Sequence, residues 1–190
     1  MSRVTVVEFV TLDGVVHDPD GSDGSPQGGW MFRYGPEAFS DDPFRVGEAL
    51  DTSALLLGRR TWEHFAKIWP GRDDDFSAKM NAMPKLVASR TLEDASGWQN
   101  SALIKSDLVT AVREHKQARD IVVMGSVSVV RPLIAQDLVD EYRLVMFPLV
   151  VGEGTRLFPD GTAPVNLDLV AAQAVGPAAV RLIYTRSRSQ

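Results

Sequence analysis

Three short apolar runs, each closed by a glycine or a serine, constrain this chain more than any other feature. Ala54-Leu55-Leu56-Leu57 stops at Gly58 and passes into Arg59-Arg60-Thr61-Trp62-Glu63-His64-Phe65, read as a short helix. Lys85-Leu86-Val87-Ala88 stops at Ser89-Arg90-Thr91, and Ile121-Val122-Val123-Met124 turns at Gly125-Ser126 into a helix ending near Gln136. A strand that is apolar at almost every position is buried on both faces, as central parallel strands between helices are. Val4 to Val10 reads as another such strand, and Leu103-Ile104 as a short one. Ser106 or Asp107 can cap a helix running to about Ala118. This alternation of buried strands and helices predicts an α/β domain with a mainly parallel sheet.

The rest of the chain fits around that frame. A helix is expected over Asp42 to Leu50, with Phe44, Val46 and Leu50 on its apolar face. Glu141 to Val151 reads as a long strand interrupted by Pro148. Leu167, Leu169 and Ala171 alternate with other residues, Gly176-Pro177 makes a turn, and Val180, Leu182 and Tyr184 alternate again, which predicts an antiparallel C-terminal pair. The segment from His17 to Gly29 and the run Asp73-Asp74-Asp75 read as irregular, exposed, acidic loops. With 190 residues, the chain is expected to form one domain spanning 1–190.

Charge and composition remove several function classes. The chain carries 20 Lys+Arg against 25 Asp+Glu, a net charge of -5. A non-specific nucleic-acid binder shows the opposite sign, so no nucleic-acid partner is expected. Residues 1–58 hold 10 acids and 3 bases, whereas residues 59–190 hold 15 acids and 17 bases. An anionic small ligand would therefore find its cations in the later part. The absence of cysteine excludes thiolate metal sites and a cysteine nucleophile. His17, His64 and His115 lack metal-ligand spacing, and no metal is expected. The sequence contains neither a P-loop nor a Gly-x-Ser-x-Gly elbow. Gly152-Glu153-Gly154 lacks the third glycine and the helix of a dinucleotide fingerprint. The longest apolar run, Leu144 to Val151, is far shorter than the ~20 residues that span a bilayer. No membrane association is expected, and a cytoplasmic location is the default.

In open α/β sheets, ligands bind outside the carboxyl ends of the strands. A strand–glycine–helix turn places free backbone N–H groups and a helix N-terminus there, both of which favour phosphate. At the first turn Gly58 is followed by Arg59, Arg60 and Thr61. At the second, Arg90 lies between the hydroxyls of Ser89 and Thr91. At the third, Gly125-Ser126-Val127-Ser128 offers small residues that let a pyrophosphate approach the backbone. Together they point to a ligand with several phosphates. Trp30, at the end of the glycine-rich loop, either caps a pocket or anchors the loop.

These segments resemble the dihydrofolate reductase-like superfamily. The likeness is greatest to the reductase domain of the bifunctional riboflavin-biosynthesis deaminase–reductase and its stand-alone relatives. The resemblance rests on Thr11-Leu12-Asp13-Gly14, Leu57-Gly58-Arg59-Arg60-Thr61-Trp62, Lys85 to Leu92, Gly125-Ser126, Leu138-Val139-Asp140-Glu141, Pro148 and Gly152-Glu153-Gly154, in family order. It implies a three-layer α/β/α dihydrofolate reductase-like fold, with a mostly parallel central sheet and a C-terminal antiparallel strand. The implied cofactor is NADPH and the implied assembly a homodimer. By motif, Gly58, Arg59, Arg60 and Thr61 would hold the pyrophosphate and adenosine phosphate, and Ser89, Arg90 and Thr91 the 2′-phosphate end. Gly125, Ser126, Val127 and Ser128 would meet the pyrophosphate and nicotinamide side, with Thr11, Leu12, Asp13 and Gly14 beside the nicotinamide. Asp13 is the nearest candidate to assist protonation or orient a substrate, although an Asp-Gly pair also forms turns.

Two departures separate the chain from dihydrofolate reductases proper. Gly125-Ser126 stands where those enzymes carry two adjacent glycines. Asp42 falls near the position of their pterin-binding carboxylate, within a pattern that matches poorly. The function expected is thus an NADPH-dependent reductase of a small-molecule substrate. It would be of the 5-amino-6-(5-phosphoribosylamino)uracil reductase type, or a stand-alone relative acting on another small heterocycle with Trp30 and Asp42 as substrate-side candidates. The alternatives are a non-catalytic nucleotide-binding protein on the same fold and a dihydrofolate reductase.

Overall fold

The computed structural model describes residues 2–39 and 42–187, which divide into two compact units. The first comprises the chain up to Val6 together with Arg45–Leu138, and the second comprises Val7–Phe44 and Val139 onward. Strand β1 (Val4–Thr11) begins in the first and ends in the second.

In the first unit, β2 (Ala54–Gly58), β3 (Lys85–Ala88), β4 (Ser101–Ile104) and β5 (Ile121–Met124) run in the order β4-β3-β2-β5, with β1 next to β5. The pairs β4–β3, β3–β2 and β2–β5 are parallel. Every residue of β2 and β5 is buried, which is why their sequences show no alternation. The connecting helices are α1 (Gly47–Leu50), α2 (Arg59–Ile68), α3 (Asp75–Ala82), α4 (Leu108–His115) and α5 (Val127–Ala135). Asp107 caps α4 by accepting from Thr110 N. Lys85, at the start of β3, is fully enclosed. Its ammonium donates to the carbonyls of Met83, Asn81 and Gln99 at 2.8, 2.9 and 3.1 Å and lies 4.3 Å from the Trp98 ring centroid.

In the second unit, β1 is followed by β6 (Glu141–Phe147), β8 (Ala179–Arg186) and the edge strand β7 (Leu167–Val175). β6–β8 and β8–β7 are antiparallel. An aromatic core lies on one face, with Phe9 4.7 Å from Phe44 and Trp30 5.4 Å from Phe147, centroid to centroid. Arg143 and Arg181 donate to the carbonyls of Phe44 and Pro43 and tie that segment to the strands. Parallel strands closed by an antiparallel C-terminal pair are the α/β class expected.

Several local expectations change. The helix expected over 42–50 shrinks to the single turn of α1. Arg45 takes a left-handed φ of 52°, which a right-handed helix cannot include, although Phe44, Val46 and Leu50 are buried. Asp73–Asp75 is exposed as expected, but it opens a helix instead of remaining loop: Asp74 caps α3, accepting from Ser77 N at 2.9 Å, and Asp75 is its first residue. Ser89-Arg90-Thr91 leads into irregular chain, and β6 ends at Phe147, one residue before Pro148. The 17–29 loop is built around a buried aspartate instead of being exposed throughout. Asp18 has φ 50° and is 5% exposed, and its carboxylate accepts from Asp23 N and Ser25 N, both at 2.9 Å. Its carbonyl accepts from Gly21 N and Gly29 N. Among the described residues no group of three or more His, Asp or Glu could hold a metal, and no helix is long and apolar enough to cross a membrane.

Candidate functional site

The parallel register of the first unit brings three strand ends to one level. Gly58 lies opposite Ala88, and Leu56 opposite Val123. The segments beyond them, Arg59–Thr61, Ser89–Thr91 and Gly125–Ser128, therefore leave the sheet side by side.

The centre of this edge is the start of α2. Gly58 is its extended N-cap residue, and no side chain caps the helix. The first-turn N–H groups have no acceptor within a helix, and no acidic residue occupies that turn. The helix dipole adds its positive end at this point. Arg59 and Arg60 are exposed, as is Arg90. Arg59 donates from Nη1 to Thr91 Oγ1 at 3.3 Å and lies 3.8 Å from Glu63, so its guanidinium is tethered toward the β3 end. Ser89 Oγ accepts from Thr91 N and Leu92 N at 3.2 and 2.9 Å. It closes the turn that presents Arg90.

The Gly125–Ser126 turn closes against α2. Both residues are left-handed, with φ of 62° and 65°. A Cβ on Gly125 would come within 3.3 Å of Thr61 Cγ2, which favours glycine there. Ser126 is a non-glycine in the same region, held by its side chain. Its Oγ accepts from Gly58 N at 2.8 Å and donates to Thr61 Oγ1 at 2.8 Å. Nothing in the linear sequence pairs residue 126 with residues 58 and 61, because this contact exists only once β2 and β5 are adjacent.

The remaining sequence candidates belong to the second unit. Thr11 is fully buried, donates to Asp13 at 2.6 Å and accepts from Val15 N at 2.9 Å. The Asp13 carboxylate also accepts from Gly152 N and Val151 N, at 2.8 and 3.2 Å. The Thr11 hydroxyl and, against some desolvation, these backbone N–H groups hold Asp13 below the usual carboxylate range. Asp13 is thus ionised at neutral pH and is a clasp between two loops, a poor proton donor. Leu12 stands 62% exposed beside it, and Gly14 takes a φ of 81°. Trp30 is wholly enclosed, with its Nε1 donating to His17 O at 3.0 Å. It anchors the loop and offers no face to a substrate. Asp42 precedes α1 by several residues and so is not a helical carboxylate of the pterin-binding kind.

The sequence passes over Glu8. It lies in the middle of β1, 5% exposed, and its Oε1 has no hydrogen-bond partner. Burial raises its pKa to about 8, so the side chain is a neutral acid at pH 7. One acidic residue in an otherwise apolar strand was the available signal.

The class is set by these features together: an α/β fold whose first unit gathers anion-favouring turns and arginines at the carboxyl edge of parallel strands. Comparison with known proteins gives the family. The RibD C-terminal domain family matches residues 2–180, and the chain belongs to it. Two Bacillus subtilis (strain 168) proteins described as uncharacterized, YyaP and YwjB, are 27% and 26% identical to it. YyaP is matched over 96% of this chain and 94% of its own length, and YwjB over 98% and 100%. Among solved structures, a protein from Shewanella sp. PV-4 assigned to riboflavin biosynthesis superposes with a TM-score of 0.75 at 22% identity, covering 98% of this chain and 99% of that one. The Thermotoga maritima diaminohydroxyphosphoribosylaminopyrimidine deaminase/5-amino-6-(5-phosphoribosylamino)uracil reductase superposes with a TM-score of 0.62 at 17% identity. That match covers 98% of this chain but 57% of that one. A pyrimidine reductase-like protein from Corynebacterium diphtheriae gives a TM-score of 0.58 at 13% identity, over 99% and 93% of the two chains. These likenesses establish the shared fold.

Proposed function

We propose that the protein is an NADPH-dependent reductase acting on a small heterocyclic substrate, of the 5-amino-6-(5-phosphoribosylamino)uracil reductase type or a stand-alone variant of it. Family membership supports a reductase at the coarse level. The observation that carries the cofactor is the carboxyl edge of β3, β2 and β5, where an uncapped helix N-terminus, two left-handed small residues and three exposed arginines lie together.

The edge fits a dinucleotide carrying a 2′-phosphate. The α2 first turn with Thr61 would hold the pyrophosphate, and Gly125 and Ser126 leave the backbone open to it. Arg59, tethered to Thr91, and Arg90 would hold the 2′-phosphate, as Arg is suited to bidentate phosphate binding. Bound there, the nicotinamide would supply a hydride to a polarised C=N or C=O carbon, which is cofactor chemistry that the protein orients. The side chains Leu12 and Asp13 have separate parts. Asp13 fixes the Thr11–Gly14 turn to Val151 and Gly152, which leaves Leu12 as an exposed apolar platform. The proton needed by the product comes from another donor, because Asp13 is ionised and spent on hydrogen bonds.

Titration with NADPH and NADH, followed by cofactor fluorescence, tests the reading. NADPH binds more tightly than NADH to the wild type. In Arg59→Ala/Arg90→Ala that preference falls about 10- to 100-fold, the loss of one or two hydrogen bonds to a charged group, while NADH affinity changes little. Equal affinity for both cofactors in the wild type, or no saturable binding of either, removes the proposal.

A further inference from the structure

The geometry points to one face of the C-terminal β6-β8-β7 sheet as the surface on which a second copy of this chain docks, the two faces meeting across a two-fold axis. The inference concerns the second unit alone and is independent of the cofactor reading.

The registers sort the side chains of these strands onto two faces, because residues directly opposite in an antiparallel pair point the same way. Arg181 opposes Gln173 and Val145, and Ile183 opposes Ala171 and Arg143. This face is the one tied down: Arg181 is buried and donates to Pro43 O and Gln173 Oε1, and Arg143 donates to Phe44 O. The opposite face carries Leu169 with Tyr184 in one row, Ala172 with Leu182 in the next, and Ala174 with Val180 in the third. On β6 each row is continued by another apolar or aromatic residue. A sheet with one face in water ordinarily turns its apolar face inward and its polar face out. Here the face with two arginines is the one held against the chain, and the face without a charge is open along its outer strand. Leu169 is 58% exposed and Val180 39%, and Ala172 and Ala174 are exposed with them. Phe158, itself exposed, lies 5.6 Å from the Tyr142 ring and extends the apolar surface beyond the Leu169–Tyr184 row.

Charge, edge geometry and size select a second copy as the occupant. A two-fold interface lays a patch on its own image, so any charge within it would meet itself. The three rows hold none, and the next charge in register on this face is Arg186 at the strand end. The second unit holds 8 acids and 1 base in Val7–Phe44 and 5 of each from Val139 onward. That balance opposes an anionic lipid surface. Strand β7 is the edge of the sheet and its longest strand, with Asp168 as its one charge. Its register shifts at Val170, between Leu169 and Ala171. Such a bulge interrupts the edge ladder and discourages addition of a further strand. The partner is therefore seated on the face, and the β7 edge stays unpaired. Three strands at ~4.8 Å spacing and nine residues at ~3.3 Å rise give roughly 400 Å² of sheet plane, before side-chain relief is counted. With Phe158 at the margin, two copies together bury on the order of 1,000 Å², the lower bound of a specific interface. An apolar patch of several hundred Å² is rarely left open on a monomer.

Sedimentation velocity of the intact protein tests this over about 1–100 μM, a range that brackets micromolar association. The wild type sediments as a dimer. Leu169→Glu and Ala172→Glu each raise the dimer dissociation constant about 100-fold or more, because a carboxylate is buried against its own image. Both positions are exposed, and thermal melts verify that the variants stay folded. Gln173→Glu lies on the other face of the same strand, still accepts from Arg181, and remains dimeric. A wild type that is monomeric throughout the range overturns the inference, as does a dimer that survives both Leu169→Glu and Ala172→Glu. Dissociation by Gln173→Glu equal to that by Ala172→Glu also overturns it, since the face would then not be what matters. A monomeric wild type that binds phosphatidylserine vesicles, and loses them in Leu169→Glu, overturns it in favour of a lipid surface. No cofactor enters these measurements, so the cofactor reading stands or falls separately.

Discussion

Glu8 shows how a single residue makes stability depend on pH. Its carboxyl is buried in β1, Oε1 finds no partner, and desolvation raises the pKa from 4.5 to about 8. Between those values the folded chain keeps a proton that the unfolded chain has lost. Stability from this residue is complete below about pH 4.5 and falls as the pH rises through 8. At about 1.4 kcal/mol per unit, the shift is worth on the order of 3–5 kcal/mol. Urea unfolding of the wild type and Glu8→Gln from pH 5 to 8.5 checks this. The wild type loses stability relative to the glutamine variant across that range, and parallel curves would show that Glu8 ionises freely. Residue-scale features of this kind escape sequence reading for a physical reason. Glu8 and Lys85 owe their properties to neighbours supplied by the fold, and a charge in or at the start of an apolar run is the sole trace left in the sequence.

At the scale of elements, legibility followed burial. β2 and β5 were readable because strands enclosed on both faces must be apolar at each position. The C-terminal pair is present where the alternation put it, but β7 does not alternate in burial, since Leu169 and Val170 are both exposed and the register shifts between Leu169 and Ala171. The three turns at the carboxyl edge were readable from glycine, serine and arginine at strand ends. What failed were segments whose order comes from a polar side chain. Asp74 starts α3 as a cap within a run of three exposed aspartates that reads only as loop. Asp18 does the same for the 17–29 segment. Burial opposes its charge, but N–H donation from Asp23 and Ser25 outweighs that and keeps its pKa low. Around it the chain is tight, since a Cβ on Gly28 would overlap Asp18 Oδ2. Asp18→Ala leaves two amides without their acceptor and is expected to cost about 1–3 kcal/mol. The damage should stay local. Hydrogen exchange should quicken at the amides of Asp23 and Ser25 while those of β2 and β5 keep their protection. Unchanged exchange in the loop would mean that Trp30 alone holds it.

For the whole molecule, the charge distribution decides how an anionic ligand is met. The net charge of -5 repels a dinucleotide phosphate at long range. The excess acid lies before residue 59, however, and Arg59, Arg60 and Arg90 stand exposed at one strand edge of the first unit. Attraction by exposed arginines is screened over a Debye length of about 8–10 Å at physiological salt. Hydrogen bonds from the α2 amides and Thr61 act at contact and are screened much less. The two contributions therefore separate with ionic strength. Raising salt from about 0.02 to 0.5 M should weaken NADPH binding more steeply than NADH binding, since the 2′-phosphate is the group held by exposed guanidinium ions. Arg59→Ala/Arg90→Ala should show the shallow NADH-like slope for both cofactors. Isothermal titration at four or five salt concentrations measures both. If the wild-type slopes for the two cofactors coincide, the 2′-phosphate is not bound at the arginine edge, and the polarity of the site must come from the helix terminus alone.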